Sequence, residues 1–296
     1  MKNIWRNRDW SPMLLEEIRE PFFSEEYIFE MKFDGVRALA FVSKNGIEVR
    51  SRNGKDMTSL FPELQELCSM VSKNVIFDGE IVSIEDGVPS FSKLQNRMHT
   101  KNAHKIKTDS VEKPVKFIAF DILYEDENLC DKELLERKRI LDEYEDNEVF
   151  VKSKVYGSDG IALFKEIKRL NLEGIVAKRK DGLYHIDERT DDFIKIKNIK
   201  VDEFLVCGYI EKESVVSLLL GEEGDGKLVY AGKVTMGKKN ELYEKLKKAK
   251  ESKCELSEVK EAAKYVKPTY YCRVEYLEKT KAGHLRHAVF KGECER

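Results

Sequence analysis

Short apolar runs bounded by turn residues dominate the first two hundred positions, a strand pattern interrupted by a few stretches of helical spacing. Residues 1–27 form an irregular lead-in with a helix-like patch at Met13–Ile18. Residues 28–42 and 46–50 read as antiparallel strands joined through Lys44-Asn45-Gly46, a turn signal. A polar loop, Ser51 to Asp56, is followed after Phe61-Pro62 by an amphipathic helix to about Lys73. Val75–Ile84 is predicted as a strand interrupted at Asp78-Gly79-Glu80, with a second turn at Asp86-Gly87. Residues 88–113 read as loop plus short helix, and Val115–Leu123 as an apolar strand. Lys132–Glu145, with Asp131 as its cap, and Ser158–Leu170 have helical spacing. Gly174–Lys178 and Asp192–Lys197 complete this half as strands.

Near Ile199–Asp202 the pattern changes. Strands are predicted at Phe204–Ile210, Val215–Leu220 and Lys227–Thr235, then a charged helix at Asn240–Ser252, then strands at Tyr270–Leu277 and Leu285–Phe290. Five strands with a helix after the third is the order of an OB-fold, a small barrel that often binds oligonucleotides. The expected class is therefore α+β: a first domain of antiparallel sheets with flanking helices over residues 1–199, then an OB-fold β-barrel over 200–296.

Composition narrows this picture. At 296 residues, with 41% hydrophobic and 36% charged positions, the chain reads as a charge-rich globular protein. A net charge of −2 argues against a uniformly basic surface, although Lys93–Lys107, Lys195–Lys200 and Lys279–Lys291 are locally basic. The first residues lack the apolar core of a signal peptide, and the apolar runs are strand-sized, so a cytoplasmic location off the membrane is expected. Six scattered cysteines without a Cys-x-x-Cys pair point to reduced thiols rather than a zinc site. His284 and His287, placed in a predicted strand, point to opposite faces, which disfavours a metal role.

The chemistry gathers around Glu30-Met31-Lys32-Phe33-Asp34-Gly35-Val36-Arg37. It places a lysine between two strands, beside an Asp-Gly turn and within reach of an arginine. An ordinary lysine, with a pKa near 10.4, is an ammonium ion at neutral pH; a nucleophilic one needs burial or nearby cations. If Lys32 attacks phosphorus, the site also requires fixed cations, carboxylates for a divalent metal and an aromatic face for a base. The chain offers them at strand ends and turns: Arg37 and Arg52 for ribose and phosphate oxygens, Glu80 for a ribose hydroxyl, Phe120 for base stacking, Glu173 for a metal. Lys195 and Lys197 alternate by two, so they share one strand face, where they would hold phosphate and lower the pKa of Lys32. Taken singly, each of these segments also fits an ordinary turn, a solvated strand face or a core position.

As an ordered set they resemble the covalent nucleotidyltransferases, specifically the ATP-dependent DNA ligases. Glu30–Arg37 is similar to motif I, Ser51-Arg52-Asn53-Gly54 to motif Ia and Phe77-Asp78-Gly79-Glu80 to motif III. Phe120-Asp121-Ile122-Leu123 resembles motif IIIa, Leu172–Lys178 motif IV and Phe193–Lys197 motif V. Phe91–Arg97 and Leu285–Gly292 resemble the ligase domain of bacterial DNA ligase D, the end-joining ligase. The resemblance implies ATP and Mg²⁺ (or Mn²⁺) as cofactors, with Lys32 carrying AMP, Glu30 and Met31 lining the adenine pocket, and Glu173 with Glu80 positioning the metal. It also implies nicked or broken double-stranded DNA as substrate, a monomeric enzyme held weakly on DNA in a salt-sensitive way, and Ku or separate end-processing proteins as partners. The second domain would swing about Ile199–Asp202. RNA ligases and GTP-dependent capping enzymes share the lysine motif, and a non-catalytic OB-type binding protein is the alternative without chemistry. The family's final Arg-x-Asp-Lys motif has no counterpart at Cys294-Glu295-Arg296, with Arg286, Lys291 or Arg296 as stand-ins. Slow self-adenylation and better sealing of pre-adenylated nicks are therefore expected.

Overall fold

The computed structural model describes residues 3–85, 87–224, 227–252, 256 and 258–294. Two compact units divide the chain, Met1–Asn198 and Ile199–Arg296.

In the first unit the strands are β1 (Leu14–Ile18), β2 (Tyr27–Lys32), β3 (Val36–Ser43), β4 (Gly46–Ser51), β5 (Val75–Val82), β6 (Ile84–Glu85), β7 (Val88–Pro89), β8 (Lys116–Glu125), β9 (Phe150–Lys152), β10 (Val155–Tyr156), β11 (Gly174–Arg179) and β12 (Arg189–Lys197). Its helices are α1 (Phe91–His99), α2 (Ala103–Glu112), α3 (Leu134–Asp142) and α4 (Gly160–Arg169). Two five-stranded sheets result, ordered β1-β12-β11-β2-β10 and β4-β3-β5-β8-β9. β2 and β3, adjacent in sequence, thus lie in different sheets, and the Phe33–Gly35 turn between them crosses from one sheet to the other.

Apolar packing explains the layering. Leu163, Phe164 and Ile167 of α4 cover Phe29, Ile175, Ala177, Ile194 and Ile196 on one face of the first sheet. The opposite face meets the second sheet through a shared cluster of Ile28 and Phe193 with Leu39, Phe41, Ile76 and Leu123. Along those same facing surfaces the apolar residues give way to Glu30, Lys32 and Lys178 on one side and to Arg37, Asp78 and Glu80 on the other. A third cluster packs the back of the second sheet on Leu64, Leu67 and Leu94.

Several local expectations are corrected. The patch at Met13–Ile18 is not helical: Leu14–Ile18 is a strand paired in parallel with β12. β5 runs unbroken through Asp78-Gly79-Glu80, since this segment is internal to a ladder with partners on both sides. The helix after Phe61 is a 3₁₀ helix, Pro62–Ser69, and residues 88–113 hold two helices rather than one. α3 begins after Glu133 and not at Asp131. Of the Asp86-Gly87 turn, Asp86 lies outside the described residues, as do Cys254 and Arg296.

The second unit contains β13 (Lys200–Glu211), β14 (Val215–Gly224), β15 (Lys227–Gly237), α5 (Glu241–Lys248), β16 (Lys264–Tyr276), β17 (Glu278–Lys279), β18 (Leu285–Arg286) and β19 (Val289–Cys294). Five of these strands pair in the order β15-β14-β13-β16-β19, all antiparallel. That is the strand order of an OB-type barrel with its helix after the third strand. The ladder of β13 to β16 starts at Lys200↔Tyr276, so most of the segment expected to swing, Ile199–Asp202, is strand. His284 and His287 flank β18 instead of sharing a strand; His284 bonds Glu258 at 2.7 Å, and His287 takes a φ of 56°.

Candidate active site

Lys32 closes β2. Its cross-strand neighbour is Gly174, and the neighbour of Gly174 on the next strand is Lys197, so a row runs across three strands on the face turned toward the second sheet. Gly174 has a φ of 157°, and a Cβ there would lie 2.2 Å from the Ile196 carbonyl oxygen, so only glycine fits this row. Glu173, one residue earlier, sets Oε1 2.8 Å from the Lys32 ammonium. Burial works to lower the pKa of Lys32, but the carboxylates of Glu173, Glu80 and Asp34 outweigh it and hold the pKa above the ordinary lysine value. The depressed pKa expected for Lys32 is therefore not what its surroundings produce. Lys195 and Lys197 do share a face, but both contact Glu17, at 3.3 and 2.8 Å, in place of acting on Lys32.

Glu80 lies opposite Arg37 in the second sheet. A Cβ at Gly35 would sit 2.8 Å from Glu80 Cγ and 2.2 Å from the Ile81 carbonyl oxygen, so Gly35 lets the Lys32 turn close onto β5. Burial pushes the Glu80 carboxyl up to about 8, with Glu173 and Asp78 adding to the shift while Lys32 and Arg37 oppose it. The carboxylates of Glu173 and Glu80 thus both act on one ammonium ion.

Arg37 is more committed than expected. Its Nε and Nη2 donate to the two oxygens of Asp78 at 3.0 and 2.7 Å, and Nη1 donates to the Met13 carbonyl at 2.7 Å. Tyr184 completes the group, donating to Asp78 Oδ2 at 2.6 Å. Arg37 is thus anchored in a buried fork rather than left open for phosphate. Arg52, in the loop after β4, is exposed and enters no ion pair among the described residues.

Phe120 owes its position to a bulge. Asp78 pairs with Asp121 and Gly79 with Ala119, which leaves Phe120 as the extra residue and turns its ring toward the cleft. Arg37 stands 5.5 Å and Lys178 4.6 Å from its centroid. Glu30, 2% exposed, receives Lys178 Nζ at 3.0 Å on one oxygen and the Lys138 ammonium on the other. Burial alone would raise the pKa of Glu30, but the two ammonium groups hold it below the usual carboxylate range. Lys178 itself is lowered to about 8, by burial first and by Lys138 in addition, against the pull of Glu30. Met31 is a correction: its side chain lies on the opposite face, in the cluster under α4, so it does not line the cleft.

Sequence reading missed Lys138 and Arg137, and gave Asp121 no role of its own within Phe120–Leu123. Arg137 donates to both oxygens of Asp121 at 2.8 and 2.9 Å, and both side chains are fully buried. A signal existed: Leu134, Arg137, Lys138 and Leu141 follow the i, i+3, i+4, i+7 stripe, which puts two cations on the inward face of α3. At the chain end, Arg286 bonds Glu278 at 2.8 Å and Lys291 pairs with Glu275 at 3.3 Å.

No helix among the described residues is long and apolar enough to cross a membrane. Comparison with known proteins gives the arrangement a lineage. A family described as "ATP dependent DNA ligase domain" matches residues 12–197, and "ATP dependent DNA ligase C terminal region" matches 211–294. The prophage-derived DNA ligase-like protein LigB of Bacillus subtilis is 38% identical over 208 residues, covering 69% of this chain and 73% of that protein. The multifunctional non-homologous end joining DNA repair protein LigD of Mycobacterium tuberculosis is 30% identical over 286 residues, 91% of this chain but only 36% of LigD's length. The solved structure of mycobacterial DNA ligase D complexed with ATP and MES superimposes with a TM-score of 0.60 at 28% identity, covering 97% of this chain and 95% of that one. Motif set, two-sheet cleft, OB-type second unit and family match agree: this chain belongs to the ATP-dependent DNA ligases.

Proposed function

We propose that the chain seals 5′-phosphate/3′-hydroxyl nicks in duplex DNA through an AMP carried on Lys32. The observation that carries this reading is Lys32 at the end of β2, on the face turned toward the second sheet, 2.8 Å from Glu173 and within the field of Glu80. In the first step the neutral amine of Lys32 donates its lone pair to the α-phosphorus of ATP. The P–N bond forms as the bond to the departing pyrophosphate breaks. The amine must first give up a proton, and Glu173 is the acceptor in contact with it. AMP then passes to the 5′-phosphate at the nick, and the 3′-hydroxyl displaces it. Phe120 offers the face for the base, while Glu30 and Lys178 supply acceptor and donor beside it.

Glu173 and Glu80, carboxylate oxygen donors that both act on Lys32, would hold a divalent cation beside it. When bound, Mg²⁺ neutralises phosphate charge. Lys195 and Lys197 would hold a phosphate in place of Glu17, their present partner. The second unit contributes an OB-type sheet as a surface for the duplex.

Incubation with α-labelled ATP and Mg²⁺, followed by denaturing separation, tests the reading. Covalent label on the wild type and none on Lys32→Ala is expected; label retained by Lys32→Ala overturns it. Labelled GTP in parallel, then nicked RNA beside nicked and broken DNA, separates the ligase from capping-type and RNA-joining activity.

A further inference from the structure

Lys138 lies outside every motif that carried the functional reading. It sits on α3, in a position that amphipathic spacing reserves for an apolar side chain, and it is only 9% exposed. Its neighbour Arg137 locks the helix to β8 through the two-pronged bond to Asp121, so the approach of Lys138 to Glu30 is fixed by the scaffold. Lys178 already provides Glu30 with one ammonium partner, at 3.0 Å. One partner is enough to neutralise one buried carboxylate, and burying a second ammonium carries its own desolvation cost. The second cation does something the first cannot: with each oxygen held by a different lysine, the plane of the Glu30 carboxylate is set. Lys178 is meanwhile shared with the Phe120 carbonyl, at 3.1 Å, and with the Phe120 ring.

We propose that Lys138 is a positioning residue for nucleobase selection, orienting Glu30 so that its carboxylate accepts a hydrogen bond from the exocyclic amino group of a base stacked on Phe120. The inference rests on the reading of the cleft as the nucleotide site and adds the residue that sharpens its choice of base. A carboxylate only accepts, so it favours a base edge bearing an amino group over one bearing a carbonyl at the same place. Truncating Lys138 leaves Glu30 in place with Lys178 as its partner, but free to turn. Discrimination should then fall while the chemistry at Lys32 persists.

The discriminating pair is ATP and ITP, which differ at the purine 6-position by amino group against carbonyl. Rates of covalent nucleotide attachment are measured for wild type, Lys138→Met, Lys138→Arg and Glu30→Gln. The expected result is a fall of about tenfold in the ATP-to-ITP ratio of kcat/KM for Lys138→Met, the size associated with one charge-assisted hydrogen bond. It should arise from a raised KM for ATP with kcat nearly unchanged, and Lys138→Arg should restore much of it. Adding Lys138→Met to Glu30→Gln should change the ratio no further. An unchanged ratio in Lys138→Met, with both nucleotides slowed equally or neither slowed, overturns the proposal. A wild type that takes no label from either nucleotide overturns the reading of the cleft itself, a different failure.

Discussion

Two sets of buried and half-buried charge pairs lie in the first unit, and they are built from different side chains. Arg37 with Asp78 and Arg137 with Asp121 are planar forks, each guanidinium bonded to both oxygens of its carboxylate and to backbone carbonyls as well. Lys32 with Glu173, and Glu30 with Lys138 and Lys178, are ammonium ions against glutamates. A fork fixes distance and angle together, and its guanidinium does not give up a proton. An ammonium is a point charge on a flexible stem, able to exchange partners and to lose its proton when buried. The arginine pairs therefore act as frame, holding β3, β5, β8 and α3 in register, while the lysine pairs act as the parts that change state.

Four substitutions test that division, from the largest expected effect downward. Lys32→Ala should reduce nucleotide attachment below detection, while urea denaturation shows a midpoint only slightly lowered, since the Lys32–Glu173 pair keeps some exposure to water. A collapse in stability would put Lys32 with the frame instead. Arg137→Met should show the reverse, a loss of about 3–5 kcal/mol in unfolding free energy, because Asp121 is left buried and unpaired. Near-wild-type stability in that variant would erase the distinction. Glu173→Gln should slow nucleotide attachment by roughly tenfold or more, since a carboxylate at the reacting centre is gone. It should also lower the Lys32 pKa, because Glu173 opposes burial there. The pH profile of Lys32 modification by an amine-reactive probe, read by mass spectrometry, should shift to lower pH; a shift upward contradicts the assigned cause.

The smallest effect concerns Glu80. Its carboxyl is raised to about 8 by burial, so between pH 4.5 and 8 the folded protein retains a proton that the unfolded chain releases. Stability from this group is fully present below the lower value and is lost as pH rises toward 8. Glu80→Gln cannot titrate. Its stability relative to wild type should rise from pH 5 to pH 8, with a ceiling of about 1.4 kcal/mol per unit of pKa difference. Denaturation at three pH values measures the drift, and a flat difference would show that Glu80 is ionised throughout.

The sequence was most readable where local chemistry decides structure. Lys32 at a strand end, the shared face of Lys195 and Lys197, and the strand order of the second unit all follow from two-residue alternation and turn residues. What it hid depends on partners far along the chain. Leu14–Ile18 has no alternation, because β1 is an edge strand with part-exposed residues throughout, and its pairing with β12 spans most of the unit. The ring of Phe120 faces the cleft through a bulge that depends on how β5 and β8 register. Arg137, Lys138 and Lys178 are charges in the interior, where residue type alone predicts a surface position. Arg37 read as a ligand for ribose or phosphate oxygens, and its fork to Asp78 was not visible, since Asp78 read as part of a turn.

The parallel pairing of β1 with β12 also governs when the enzyme comes into being. Leu14 lies beside Arg189 and Glu17 beside Lys195, so the first sheet draws on both ends of its unit. Contacts of such long range form late, after local hairpins such as β3–β4 have already collapsed. During synthesis the row from Lys32 through Gly174 to Lys197 has no third member until the last residues of the unit have left the ribosome. A growing chain thus cannot complete the row of Lys32, Gly174 and Lys197 early: topology withholds it until nearly two hundred residues are present.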